Sequence, residues 1–260
     1  MLRSLNKALA LLDAFTPEKA EWALGDLSRA LGFPKPTVHH MLATLEHAGW
    51  VEQISENGKY RLGVRLWEKG WLAINHTPLR DLARLAAEGL AKRSQETIRL
   101  AVLDAIDPGF TVYIDQVDSS NPIRAHTRIG DRAPSHCVAT GKALLAFMPA
   151  AVERLRSRQL PRFTARTITT HARLGAELDR ARKQGFAINR KEYREDIVGV
   201  AAPIMSHEGH VVAAIGISGP AYRLSPSRIT SLTPAVIEAA SLISSRLGFR
   251  ERPLRAGPHR

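Results

Sequence analysis

The chain has 260 residues, 44% hydrophobic and 24% charged, which excludes a disordered or low-complexity polypeptide and leaves room for about two domains. A single cysteine, Cys137, excludes an intramolecular disulfide framework and a multi-cysteine metal cluster. The balance of 37 Lys+Arg against 25 Asp+Glu gives a net charge of +12 and a pI near 10.4, which points to a polyanionic or acidic partner. Residues 1–76, however, hold 9 basic and 8 acidic side chains, and the last fifteen residues hold five arginines against one glutamate. Charge alone therefore does not say which end meets a nucleic acid, and a solubilising Arg-rich surface accounts for it equally well. The first fifteen residues lack the apolar core and cleavage site of a signal peptide. No apolar run approaches the roughly 18 residues of a membrane span. A cytoplasmic location with no membrane contact is the expectation.

Leu5, Leu9, Leu12 and Phe15 follow helical spacing, with Ser4 placed as N-cap and Thr16-Pro17 as the stop. A short second helix is expected over 25–31, with Leu27, Ala30 and Leu31 inward and Gly32 ending it at positive φ. Pro34-Lys35-Pro36-Thr37 then opens a third helix, because proline suits a first turn, and Val38, Met41, Leu42 and Leu45 continue its apolar face. Two short helices around a Gly-containing turn make a helix-turn-helix candidate. The strand-like runs 50–55 and 59–63 flank Asn57-Gly58, a strong hairpin signal. Together these elements describe a winged helix-turn-helix over 1–63. A linker helix is expected over 64–77, with Leu66, Trp67, Trp71 and Leu72 apolar, and Thr77-Pro78 breaks it.

The second part, 78–249, opens with an amphipathic helix carrying Leu82, Leu85, Ala86 and Leu90 and then turns strand-rich. Strands are expected over 98–103, 110–117, 123–129, 185–189, 197–206 and 211–218, and helices over 139–147, 151–158, 174–184 and 227–247. That mixture predicts an α+β domain around an antiparallel sheet. Residues 250–260 form an Arg-rich tail that would add salt-sensitive DNA affinity or remain a solvated end.

A recognition helix must present side chains able to bond base edges while its apolar face packs on the preceding helix. Lys35, Pro36, Thr37, His39 and His40 occupy that polar side, with Thr37 and the histidines toward bases. In the hairpin, Lys59 and Arg61 alternate with Tyr60, so both cations leave one side of the strand toward phosphates. Further along, the turn before Ala139-Thr140 starts a helix whose free N–H groups favour an anion such as a carboxylate. An ordinary helix start packed under a strand is the plainer reading. Lys142 lacks the glycine and hydroxyl neighbours of a phosphate loop.

At this point the chain resembles IclR-type bacterial transcriptional regulators, from Ser4 to about Arg246. The resemblance rests on Leu24–Leu45, Tyr60–Gly63, Ser135–Ala146, Gly185–Asn189 with Glu192, Val200–Pro203 and Ser218–Pro220. It implies a winged helix-turn-helix joined by a helix to a GAF-like α+β domain that binds a small metabolite. The chain departs from such regulators at Pro36, where serine is usual, and at His40, where arginine is usual. In the second domain the resemblance implies effector contacts at Asn189, Gly199, Gly216 and Ser218, beside Ala139 and Thr140. An acidic residue is usual at the position of Asn189, a cysteine or small residue at Gly199, and serines at Gly216 and Ser218. An amide for a carboxylate and glycine for bulk suggest a larger pocket, less repulsive to anions.

The expected function is a ligand-responsive, sequence-specific DNA-binding regulator, a repressor or activator of genes for small-molecule catabolism. It would act on double-stranded operator DNA as a homodimer or tetramer, with a carboxylate effector and no cofactor, metal or enzymatic activity. Two other readings stay open: a DNA-tethered enzyme acting on a small carboxylate, and a ligand-independent architectural DNA binder. Ser135, His136 and Cys137 are adjacent in sequence, which does not supply the geometry of a nucleophile and its base. Cys137 reads as a small buried thiol, and His207-Glu208-Gly209-His210 as a hairpin turn rather than a zinc site.

Overall fold

The computed structural model describes residues 2–16, 18–75, 78–121 and 128–250, and the chain falls into two units, Met1–His76 and Thr77–Arg260. The first unit contains helices α1 (Arg3–Asp13), α2 (Leu24–Leu31) and α3 (Lys35–His47), the antiparallel strands β1 (Val51–Gln53) and β2 (Tyr60–Leu62), and helix α4 (Val64–Asn75). Leu11, Trp22, Leu27, Val38, Leu42, Val51 and Tyr60 close its core. Trp22 and Tyr60 exchange backbone hydrogen bonds of 2.9 and 2.8 Å, so the segment before α2 joins the hairpin. Gly32 ends α2 at φ +68°, a left-handed conformation that a side chain at Cβ would resist.

Three expectations for this unit are corrected. Ser4 does not cap α1, because the helix starts at Arg3 with Leu2 in the cap position and no side-chain bond. Leu5 and Leu9 are 54% and 51% exposed, because Leu11 is the residue of α1 that enters the core. Ala30 is exposed beside buried Leu27 and Ser28, whose hydroxyl bonds the Phe33 carbonyl at 2.6 Å and fixes the turn. On α4, Trp67 is 68% exposed and Leu72 39%.

The second unit holds α5 (Pro78–Ser94), β3 (Thr97–Leu103), β4 (Phe110–Val117), β5 (Arg132–Pro134), α6 (Ala139–Ala146), α7 (Pro149–Leu155), α8 (His171–Gln184), β6 (Ala187–Arg190), β7 (Ile197–Met205), β8 (Val211–Pro220) and α9 (Pro226–Arg246). The six strands form one antiparallel sheet in the order β5-β4-β3-β8-β7-β6. Strand alternation sends Ile98, Leu100, Val200 and Ile215 to one face, under α5 and α9. It sends Ala187, Ala201 and Ala214 to the other, where the small side chains let α6 lie close, with α7 and α8 outside it. Of the expected strand over 123–129, residues 123–127 lie outside the described residues, and 128 and 129 are not in a strand. The short strand β5 was not expected from sequence.

Candidate DNA interface and effector site

Helix α3 is held by its fully buried Val38 and Leu42, which turns the opposite side of the helix outward. Lys35, Pro36, His39 and His40 are exposed and Thr37 is half-buried. Pro36 sits in the first turn, where its missing N–H removes no helix bond. The His39 and His40 rings meet edge-on with centroids 6.0 Å apart. At 100° per residue, Pro36, His40, Ala43 and His47 fall along the outermost line of α3, and Ala43, Thr44 and His47 are all exposed. Sequence reasoning missed these three because it stopped at the first turn and a half.

The wing is less free than its sequence suggests. Arg61 lies opposite Glu52 in the ladder, and its Nε donates to that carboxylate. Lys59 Nζ lies 3.7 Å from Glu21 Oε2. Each wing cation therefore has a carboxylate partner in the absence of DNA. These pairs are roughly half-exposed and such pairs contribute about 0–1 kcal/mol, so phosphates can compete for the cations.

In the second unit, register brings most of the expected effector residues together. Asn189 lies opposite Gly199, Gly199 opposite Ser218, and Ser218 opposite Thr97, one row across β6, β7, β8 and β3. Two residues along, Ala187, Ala201, Gly216 and Arg99 form the next row on the same face. Helix α6 covers this face, and Ala139 and Thr140 occupy its buried first turn. No side chain caps α6. Thr140 Oγ1 is buried with no hydrogen-bond partner among the described residues. Asn189 is already committed in part, since its Oδ1 accepts the Glu192 N–H at 2.8 Å.

The two glycines do not enlarge this site, which corrects the expectation drawn from their size. A Cβ at Gly199 would stand 2.6 Å from the Ile217 carbonyl oxygen, and one at Gly216 would stand 2.6 Å from both Ala201 Cβ and the Val200 carbonyl oxygen. Neighbouring strand atoms fill the missing volume, so these glycines permit close strand approach.

Sequence reasoning missed Arg99, which is 7% exposed. It stands opposite Gly216 on the α6 side, with its guanidinium carbon 4.8 Å from the Tyr113 ring centroid. Tyr113 packs with Ala101, Ala133 and Val138, and Tyr193 joins them. Phe163 links Tyr193 to His136 at ring distances of 5.0 and 6.1 Å. The available signal was a lone cation in the otherwise apolar alternation Ile98–Leu103.

The neighbouring Ser135-His136-Cys137 run does not assemble a nucleophile and base. Ser135 Oγ meets Thr111 Oγ1 at 3.0 Å, and His136 Nε2 meets the Pro161 carbonyl at 3.1 Å. Burial pushes the Cys137 thiol far above its ordinary range, aided by the Glu192 charge, and burial lowers the His136 imidazole. Lys142, passed over as a phosphate ligand, is fully buried and paired with Glu192 and Glu177. The His207–His210 segment forms the turn between β7 and β8, with Gly209 at φ +80°.

No helix among the described residues is long and apolar enough to cross a membrane. Residues 4–55 match the IclR helix-turn-helix domain, and residues 71–245 match the C-terminal domain of the bacterial transcriptional regulator IclR. The chain is 32% identical to the HTH-type transcriptional regulator XynR of Escherichia coli K12, over 96% of this chain and 98% of that one. It is 29% identical to the transcriptional repressor IclR of the same organism, over 95% and 90%. Among solved structures, an IclR homolog from Microbacterium hydrocarbonoxydans complexed with 4-hydroxybenzoate aligns with a TM-score of 0.79 at 27% identity, covering 94% of this chain and 98% of that one. The Thermotoga maritima IclR aligns at 0.71 and 29% identity, covering 96% and 100%. The two matched domains and the full-length similarity place this chain in the IclR family of transcriptional regulators.

Proposed function

We propose that this regulator is a cytoplasmic homo-oligomer without enzymatic activity that binds operator DNA and answers to a small carboxylate. In this reading Thr37, His39 and His40 meet base edges, Lys35 and Pro36 set the first turn of α3 against the backbone, and Lys59 and Arg61 meet phosphates. A recognition helix covers one half-site, so two reading heads are needed for specificity. The exposed Leu5, Leu9 and Trp67 of the first unit supply apolar surface for a second copy.

The observation that carries the effector reading is the buried Arg99 guanidinium on the α6-covered face, near the row of Asn189, Gly199 and Ser218. A buried cation beside an aromatic ring, with the unbonded Thr140 hydroxyl on the same face, matches a carboxylate carrying an apolar or aromatic body. The 4-hydroxybenzoate bound to the Microbacterium homolog belongs to that class. The ligand acts by preferring one arrangement of the reading heads over another.

Binding of the purified chain to DNA from its own upstream region and to scrambled DNA, across a salt series and with a panel of aromatic and short aliphatic acids, tests this reading. Tight, sequence-dependent binding altered by one acid supports it. Binding indifferent to sequence and to every acid supports the architectural reading, and turnover of the acid supports the enzyme.

A further inference from the structure

The face of the sheet turned away from α6 holds a cavity of about 400 Å³, at the β6 edge beneath the start of α9. Its apolar lining includes Ile188, Val198, Leu224 and Ile229, while Arg166, Arg190 and Lys191 bring three cations to it. Among the described residues, no carboxylate side chain lines it. Arg190 shares Glu177 at 3.2 Å, whereas Arg166 and Lys191 have no ion-pair partner among the described residues. Like charges gathered at an apolar cavity repel one another unless an anion separates them.

Lys191 is also one of two non-glycine residues at positive φ among the described residues, at +67°. The turn is held from outside: the Thr164 hydroxyl bonds the Lys191 carbonyl at 2.8 Å, and the Thr167 hydroxyl bonds the Glu192 carbonyl at 2.6 Å. A bulky residue in this conformation persists only where its surroundings fix it.

We propose that this cavity is a second ligand site, for an amphipathic carboxylate whose head lies between Arg166 and Lys191 and whose apolar chain lies on Ile188, Leu224 and Ile229. It goes beyond the effector reading, because it lies on the opposite face of the sheet. Residues 189–192 join the two faces: Asn189 stands in the α6-side row, and the next two residues line the cavity. Asn189 also accepts the Glu192 N–H, so movement of Lys191 reaches Asn189 through one hydrogen bond.

Calorimetric titration of the full chain with octanoate tests the proposal. The wild type is expected to bind saturably, and Arg99→Met to keep at least one octanoate site. The double substitution Arg166→Glu with Lys191→Glu is expected to weaken that remaining site at least about tenfold in the Arg99→Met background, by charge reversal. Ile229→Trp, which fills the apolar floor and leaves the cations in place, is expected to weaken it by a similar factor of about ten. Inorganic phosphate, which has charge without a chain, is expected to bind at least about tenfold more weakly than octanoate. The proposal is overturned if the wild type shows no saturable binding, if Arg99→Met abolishes it, or if phosphate binds as tightly as octanoate. It is equally overturned if both cavity variants, folded by circular dichroism, bind like their parents.

Discussion

The Lys142 ammonium lies 2.7 Å from both carboxylate oxygens of Glu192, and the lysine has no exposed surface. Glu177 approaches the same ammonium at 3.4 Å and carries Arg180 and Arg190 on its outer side. The pair ties α6 to the turn after β6, across the covered face of the sheet. Removing one member leaves a buried charge whose desolvation is no longer offset, at a cost of about 3–5 kcal/mol. Lys142→Met is therefore expected to lower the urea midpoint of the effector unit sharply, with Lys142→Met/Glu192→Leu recovering much of the loss. Far-UV circular dichroism measures this. A double variant no more stable than the single one would show that the pair does more than neutralise itself.

The wing pairs give a prediction of opposite sign. Glu52 holds the Arg61 guanidinium in the absence of DNA, so a phosphate that takes Arg61, as proposed, must displace it. Glu52→Gln is expected to strengthen binding to operator and scrambled duplex alike, by roughly threefold to tenfold at low salt, and to steepen the salt dependence by a fraction of one charge. Fluorescence anisotropy across a salt series reads both effects. A gain confined to the operator would show that Arg61 contacts bases instead of phosphates.

His40 is exposed on the outermost line of α3, the side that the proposed reading turns into the groove. His40→Ala is expected to reduce the preference for operator over scrambled DNA by about 1–3 kcal/mol and to leave scrambled binding nearly unchanged. Equal loss on both duplexes would reassign His40 to the phosphate backbone.

The elements read best in the sequence were those with an undisturbed period. Val38, Met41, Leu42 and Leu45 marked α3, and 110–117 matched β4 in full. The strand β5 escaped because three residues, Arg132-Ala133-Pro134, are too few to show alternation. The row from Asn189 to Thr97 was legible only in part: resemblance supplied three of its members, on the consecutive strands β6, β7 and β8, but Thr97 joins them through the β3–β8 pairing, between strands distant in sequence. Arg99 and Lys142 escaped for a shared reason. A charge in an apolar run acquires meaning from what faces it, and the partners of Lys142 lie 35 and 50 residues away.

Asp104 supplies a pH-dependent contribution to stability. Burial pushes its carboxyl up, but the Asp107 and Ile106 N–H groups, at 3.0 and 2.8 Å, together with Arg132, outweigh that and hold it below the usual carboxylate range. Its folded pKa thus lies below the unfolded value of about 3.9. The contribution is fully present above that value and is lost as pH falls through the folded pKa. Asp104→Asn is expected to cost about 1–2 kcal/mol at pH 7. The gap between variant and wild type should narrow as unfolding is measured at progressively lower pH below 4. A gap constant with pH would mean that packing, not charge, sets the cost.

Arg99 separates binding of DNA from response to ligand. It lies in the second unit, on β3, while the α3 face and the wing belong to the first. Met sits well against an aromatic ring, so Arg99→Met removes the cation and its bonds while leaving an apolar side chain beside Tyr113. Operator affinity without effector is therefore expected to stay within about twofold of wild type. The acid concentration that alters DNA binding should rise by about a factor of ten or more, since a charge-assisted hydrogen bond contributes about 1.5–3 kcal/mol. An unchanged acid response would remove Arg99 from the effector site, leaving Thr140 and the first turn of α6 to hold the carboxylate. Loss of operator binding in the absence of acid would instead assign Arg99 to the coupling between the units.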